Sequence, residues 1–151
     1  RALDELYIYY TSYYDWLKRT IYDIQNLCDR EVVLRIHPEH KPTERDQIKS
    51  IAKLFDNVSV SDSIDIKEDL KQAYCTVTFN STAAIFSVFE GVPVIILGSG
   101  AEVKNVAHKC LTDLNNLDYT KETNQWCNDM GYAVWSEQEI KSGEAWTHMM
   151  K

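Results

Sequence analysis

The chain has 151 residues, of which 44% are hydrophobic and 26% charged. This composition is typical of a globular domain and excludes a disordered or low-complexity chain. Sixteen basic against 23 acidic residues give a net charge of −7, which argues against nucleic-acid binding through a basic patch. No apolar run reaches the roughly 20 residues of a transmembrane segment and no signal peptide opens the sequence, so we expect a cytoplasmic protein.

Residues 1–30 are predicted to form one long amphipathic helix, because apolar residues recur at steps of three and four. Tyrosines occur around most of this helix, too many for one stripe facing the core, so some must meet another surface. A missing N-terminal domain or a partner subunit would provide that surface, and a stacking platform for a base or sugar is the alternative. The tyrosines are Tyr7, Tyr9, Tyr10, Tyr13, Tyr14 and Tyr22.

Residues 31–100 alternate between short β-rich runs and helical segments. Strands are predicted at 32–36, 58–60, 75–79 and 93–97, and helices at 44–55, 65–73 and 83–90. This alternation is typical of βαβ units and a parallel sheet.

Residues 101–151 are predicted to be a helical extension, in which Ser136 and Glu139 form a capping box. The predicted fold class is therefore α/β: a single domain over residues 1–151, with one Rossmann-like parallel sheet, flanking helices and a helical C-terminal extension.

Two groups of polar residues follow predicted strands, and ligands of open parallel sheets bind beyond the carboxyl ends of the strands. The first group is residues 35–38, where His37 can donate to a phosphate. The second is Asn80-Ser81-Thr82, at a helix start, where free N–H groups and hydroxyls suit an anion. A plain helix cap and a hydrogen-bonded histidine at a strand end are the structural alternatives.

The order of these motifs resembles the donor domain of GT-B glycosyltransferases. The resemblance lies in a strand ending in His37-Pro38, a later strand ending in Asn80-Ser81-Thr82, and a helix closed by Gly91-Val92-Pro93. The similar groups are bacterial sialyltransferases, capsule-polysaccharide (Kdo-type) transferases and teichoic-acid glycerophosphotransferases. Over about residues 32–97, the resemblance implies one half of a GT-B fold and transfer of a sugar from a nucleotide-activated donor in polysaccharide biosynthesis.

The resemblance also implies roles for individual residues. His37 would be catalytic, stabilising charge on the leaving phosphate without a metal or cofactor. The general base of GT-B enzymes usually comes from the N-terminal domain, so a missing domain or a partner subunit is implied as well. The residues implied to bind the donor phosphate are His37, Asn80, Ser81 and Thr82.

In some relatives an acidic residue between the two motifs holds the donor ribose. Asp62, Asp65 and Glu68 lie there, and the sequence does not choose among them. Arg35 is a further candidate for a ribose or base contact.

Other functions stay open. A stand-alone nucleotide-binding or interaction module without catalysis is a different class of function, and the shortness of the chain favours it. A nucleotide-sugar epimerase would need acid and base residues that the sequence does not present. His37 and His40, or His108 and Cys110, suggest zinc, but neither has a second closely spaced pair of ligands nearby.

Overall fold

The computed structural model describes residues 2–99, 102–117, 121–133 and 135–149. It confirms the α/β class. In chain order the elements are α1 (Ala2–Tyr9), α2 (Tyr13–Leu27), β1 (Val32–Leu34), α3 (Pro42–Ala52), β2 (Val58–Val60), α4 (Ile66–Leu70), β3 (Thr76–Thr78), α5 (Ala83–Phe89), β4 (Val94–Ile96), a 3-10 helix (Leu111–Asn115), α6 (Lys121–Ala133), α7 (Glu137–Ser142) and α8 (Glu144–Met149).

Residue contacts divide the chain into two compact units, Arg1–Asp118 and Tyr119–Lys151. The first unit contains α1 to α5, the strands and the 3-10 helix, so the extension predicted over 101–151 falls partly in each unit. In the second unit, α7 begins with the predicted capping box: the Ser136 hydroxyl accepts from the Glu139 amide at 3.2 Å, and the Glu139 carboxylate accepts from the Ser136 amide at 2.7 Å.

The single helix predicted over residues 1–30 is interrupted, and α1 and α2 are separate helices. Ser12 caps α2, because its hydroxyl accepts from the Asp15 amide at 3.1 Å. The Asp15 carboxylate in turn accepts from the amide and the hydroxyl of Thr11, each at 3.1 Å. A continuous helix would lose these bonds. The spacing of Ser12 and Asp15 is a start signal that the apolar periodicity masked.

The strands form two parallel ladders where one sheet was predicted. β1 pairs with β2, with Val32 opposite Val58, and β3 pairs with β4, with Thr76 opposite Val94. Among the described residues there is no ladder between β1 and β3. Each strand has three residues, so backbone hydrogen bonds contribute little and side-chain packing must hold one pair to the other.

Helix α2 provides that packing. Residues of its first half, Trp16 to Ile21, share a core cluster with Leu34, Ile36 and Phe79 at the carboxyl ends of β1 and β3. Its last turns share a second cluster with residues of β1, β3 and β4. Both strand pairs therefore contribute residues to the two clusters that α2 joins. The second cluster includes Ile24, Leu27, Val32, Cys75, Val77 and Ile95.

Candidate functional site

His37 lies three residues beyond β1, and its side chain is exposed. Its Nδ1 accepts a hydrogen bond from the Glu39 amide at 3.2 Å, so the proton of the neutral ring is on Nε2. Arg45 holds the loop, since its Nε donates to the His40 carbonyl at 3.0 Å and its Nη2 to the Pro38 carbonyl. His37 therefore presents an Nε2–H donor to solvent from a loop that is tied to α3.

Ser81 and Thr82 lie at the start of α5, where the sequence predicted a helix. The Ser81 hydroxyl accepts from the Ala83 amide at 3.2 Å, which leaves its own proton free to donate. Thr82 is the flanking residue of the helix, and its exposed side chain makes no cap bond. The local cap that the sequence allowed is thus present at Ser81, and it is compatible with a second role for the same hydroxyl.

Asn80 is packed against the end of β4. The Gly98 amide donates to the Phe79 carbonyl at 2.9 Å, which brings this backbone directly beneath the Asn80 side chain. A Cβ atom at Gly98 would lie 2.5 Å from Asn80 Nδ2 and 2.7 Å from Asn80 Oδ1. A larger residue at position 98 would therefore displace the Asn80 amide from its present position.

The residues directly before His37 and shortly before Ser81 pack in one core cluster. Ile36, directly before His37, and Phe79, two residues before Ser81, belong to the same core cluster. Aromatic rings continue between the loops across the start of α2. Successive ring centroids are 6.3 Å apart for His37 and His40, 6.2 Å for His40 and Tyr13, 5.4 Å for Tyr13 and Trp16, and 6.0 Å for Trp16 and Phe79.

Two ring nitrogens along this aromatic row are buried without a hydrogen bond from any described residue. They are Nε1 of Trp16 and Nδ1 of His40, on either side of the Tyr13 ring. Buried polar groups normally have partners, so a water molecule or a ligand atom is expected to bind here. Burial raises the pKa of the Tyr13 hydroxyl, and the neighbouring Tyr14 raises it further. The sequence did not identify Trp16 or His40 as ligand-binding residues. The only indication it offers is that each is a ring with a polar nitrogen close to predicted core positions.

Arg35 is bonded within the loop that follows β2. Its guanidinium donates to the Asp69 carboxylate, to the Ser63 carbonyl at 3.2 Å and to the Ile64 carbonyl at 2.8 Å. Burial alone would raise the pKa of Asp69, but hydrogen bonds from Ser61 and Arg35 lower it overall. Through these contacts Arg35 holds the loop in place. Its guanidinium therefore has few donors left to bind a ribose or base.

The three acidic candidates for the ribose contact differ in their bonding. Asp65 caps α4 by accepting from the Lys67 amide at 2.9 Å. Glu68 is exposed and pairs with Lys71 at 2.7 Å. Asp62 is exposed in the loop after β2 and has no hydrogen bond or ion pair with other described residues. Asp62 is therefore the most available carboxylate of the three.

Neither a metal centre nor a membrane span is present in the described part of the chain. Its residues contain no group of three or more His, Cys, Asp and Glu side chains that could hold a metal ion, so the zinc interpretation of His37 and His40 finds no third ligand there. Across the same ranges, every helix is too short or too polar to cross a bilayer.

Comparison of the chain with protein-family models, with curated proteins and with solved structures finds no match.

Proposed function

We propose that this chain is the donor-binding half of a glycosyltransferase, a Rossmann-like domain of the GT-B type that binds a nucleotide-activated sugar by its phosphate. The observation that carries the proposal is that Ile36, directly before His37, packs against the core cluster that contains Phe79, two residues before Ser81. Ligands of parallel α/β folds bind at the carboxyl ends of the strands.

The proposed chemistry is electrostatic. The His37 Nε2–H and the hydroxyls of Ser81 and Thr82 donate to phosphate oxygens, and the Asn80 amide lies beside them. Negative charge on the phosphate grows as the sugar leaves, so these donors bind the transition state more strongly than the ground state. Asp62 accepts from the ribose. In the same proposal, a missing N-terminal domain or a partner subunit supplies the general base.

The Rossmann-like strand order in this proposal is β2-β1-β3-β4. It is supported by Val32 of β1, which packs against both core clusters, the second of which includes Val77 and Ile95 of the other ladder. Helix α3 connects β1 to β2 and α5 connects β3 to β4, and such helical crossovers are what parallel pairs require.

Isothermal titration of the chain with CMP, UDP, CDP and GDP sugars tests the proposal. We expect one nucleotide to bind and both His37→Ala and Ser81→Ala to weaken that binding about ten- to a hundredfold, because a hydrogen bond to a charged group contributes roughly 1.5–3 kcal/mol.

Ser50→Ala is the matched control, since the Ser50 hydroxyl makes only a local bond to the Asp46 carbonyl at 2.8 Å on exposed α3. It should leave affinity unchanged. If Ser81→Ala and His37→Ala lower the melting temperature but not the affinity, Ser81 is only a cap and the proposal is rejected. A free nucleotide that binds as tightly as its sugar conjugate would favour a nucleotide-binding module without catalysis.

A further inference from the structure

Two of the four cysteines, Cys28 and Cys75, pack against one small core cluster, which is formed by Ile24, Ile95 and Leu114. Cys28 lies directly after α2, and its amide donates to the Ile24 carbonyl at 3.0 Å. Cys75 lies directly before β3. Both thiols are free and partly buried, so two residues that are distant in the sequence place their sulfur atoms around the same apolar centre.

The residues beside the two cysteines contact each other. The Arg30 guanidinium lies over the Tyr74 ring, 3.7 Å from its centroid, within the range of a cation–π interaction. Arg30 is two residues after Cys28, and Tyr74 directly precedes Cys75. The Tyr74 hydroxyl also donates to the Leu114 carbonyl at 3.1 Å. The chain segments that carry the two thiols are therefore held side by side.

The electrostatics of Cys75 agree with a neighbouring thiol. The pKa of Cys75 is raised to about 11, first by burial and then by the charge of the Cys28 thiolate, whereas Arg30 lowers it. A charge effect of this kind requires the two sulfur atoms to be near each other. The thiolate is the reactive form of cysteine, so Cys75 attacks other sulfur atoms slowly at neutral pH.

We propose that Cys28 and Cys75 form a reversible disulfide site, which closes by exchange with a low-molecular-weight disulfide of the glutathione type. The Cys28 thiolate attacks that disulfide, forms a mixed disulfide with one half and releases the other half as a thiol. Cys75 then loses its proton, attacks the Cys28 sulfur and releases the second small thiol. The two cysteines lose two electrons, the small disulfide gains them, and the two protons go to the released thiols.

The proposed bond links the end of α2 to the start of β3. Neither cysteine belongs to the residues proposed to bind the donor, so this inference is independent of the proposed function.

Mass spectrometry of the whole chain tests the proposal, after treatment with oxidised glutathione at neutral pH and alkylation. Cys110→Ser together with Cys127→Ser removes the other two thiols and provides a simple background. In this background we expect both remaining thiols to disappear and the mass to fall by two hydrogen atoms. Proteolysis should give one peptide that joins Cys28 to Cys75, the unmodified chain should give the same joined peptide, and dithiothreitol should restore both thiols.

Single-cysteine variants in the same background test the order of the two steps. Cys75→Ser should keep glutathione on Cys28, because the thiol that would displace it is gone. Cys28→Ser should take up glutathione at Cys75 about tenfold more slowly than an unstructured cysteine peptide. The higher pKa leaves about a hundredfold less thiolate, and the greater nucleophilicity of that thiolate restores only part of the rate. Equal rates for Cys75 and the peptide would overturn the role given to Cys75.

Thermal unfolding measures the effect of the bond. The disulfide closes a loop of about 48 residues and restricts the unfolded chain, so the oxidised form should melt roughly 5–15 °C above the reduced form. Cys75→Ser is the matched control, because the same treatment leaves it without a cross-link and should not raise its melting temperature.

The inference is overturned if glutathione stays on Cys28 in the chain that has both cysteines, or if the joined peptide comes only from linked dimers, which have twice the mass without reductant. A joined peptide in a chain whose melting temperature is unchanged or lowered would also overturn it, since the bond would then not fit the folded structure.

Discussion

At Gly98 the backbone after β4 passes so close to Asn80 that no side chain fits between them. The three nearest atoms to an added Cβ are all Asn80 side-chain atoms, at 2.5 to 2.7 Å. Gly98→Ala must therefore push the Asn80 amide aside. We expect a loss of about 1 kcal/mol in the free energy of unfolding, at the low end for overpacked sites because only the end of one side chain must move, and weaker nucleotide binding if Asn80 lies beside the phosphate.

A double-mutant cycle in urea separates this clash from other effects. In an Asn80→Ala background, Gly98→Ala should cost much less than in the unmodified chain, because the atoms that it meets are gone. Gly131→Ala is the control: nothing lies within 4 Å of its added Cβ, and alanine favours the helix α6. Equal costs of Gly98→Ala in both backgrounds would contradict the explanation.

The sequence predicted which residues belong to the candidate site but not which hydrogen bonds they make. The His37 and Asn80-Ser81-Thr82 runs were visible because both follow β-rich runs and carry polar groups where strands end. The partner of Arg35, by contrast, is Asp69, 34 positions further along the chain. No local pattern reports such a pair, so a bonded arginine and a free one look alike in the sequence.

At the scale of elements, the Arg35–Asp69 pair joins β1 to the loop after β2 and to α4. We expect Asp69→Asn, which keeps the size of the side chain, to lower the free energy of unfolding at neutral pH by about 1–3 kcal/mol, since charged hydrogen bonds are lost. The folded pKa of Asp69 is lowered, so its contribution is present above the ordinary carboxylate pKa and disappears as pH falls through the lower folded pKa.

Urea unfolding at neutral pH and in acid measures this difference between the unmodified chain and Asp69→Asn. The difference should shrink in acid. Glu68→Gln is the control, because its exposed pair with Lys71 is screened by solvent and is expected to contribute little. A difference for Asp69→Asn that stays constant with pH would show that the carboxylate charge is not what stabilises the loop.

Helix positions were predictable where a capping residue stands beside an apolar run. Asp65 before α4 and Ser136 before α7 are such cases, and both caps are present. The start of α3 differs from the prediction. Pro42 begins the helix and the Glu44 carboxylate accepts from the Lys41 amide at 2.8 Å, because proline in the first turn needs no N–H partner and already has a helical φ.

At the scale of the whole molecule, the parallel α/β class was predictable because alternation of strands and helices is a local property of the sequence. The division into two ladders was not. Whether β1 pairs with β3 depends on how both strand pairs pack against α2. That packing uses contacts between residues distant in the sequence, such as Trp16 and Phe79, whose ring centroids are 6.0 Å apart. Three-residue strands add too few backbone bonds to decide the outcome by themselves.

The lack of a ladder between β1 and β3 in the described part of the chain has a consequence for amide hydrogen exchange. The Val32 amide bonds the Asn57 carbonyl at 3.0 Å, and the Thr76 amide bonds the Pro93 carbonyl at 2.9 Å. Successive amides of a strand point to opposite edges, so those of Val33 and Val77 point away from β2 and β4, to edges where no ladder forms among the described residues. They should exchange with deuterium far faster than Val32 and Thr76, whereas a continuous sheet would protect all four. A phosphate held between the ends of β1 and β3 would draw the two strands together. Slower amide exchange at Val33 and Val77 on nucleotide binding would then report this movement, although neither residue contacts the ligand.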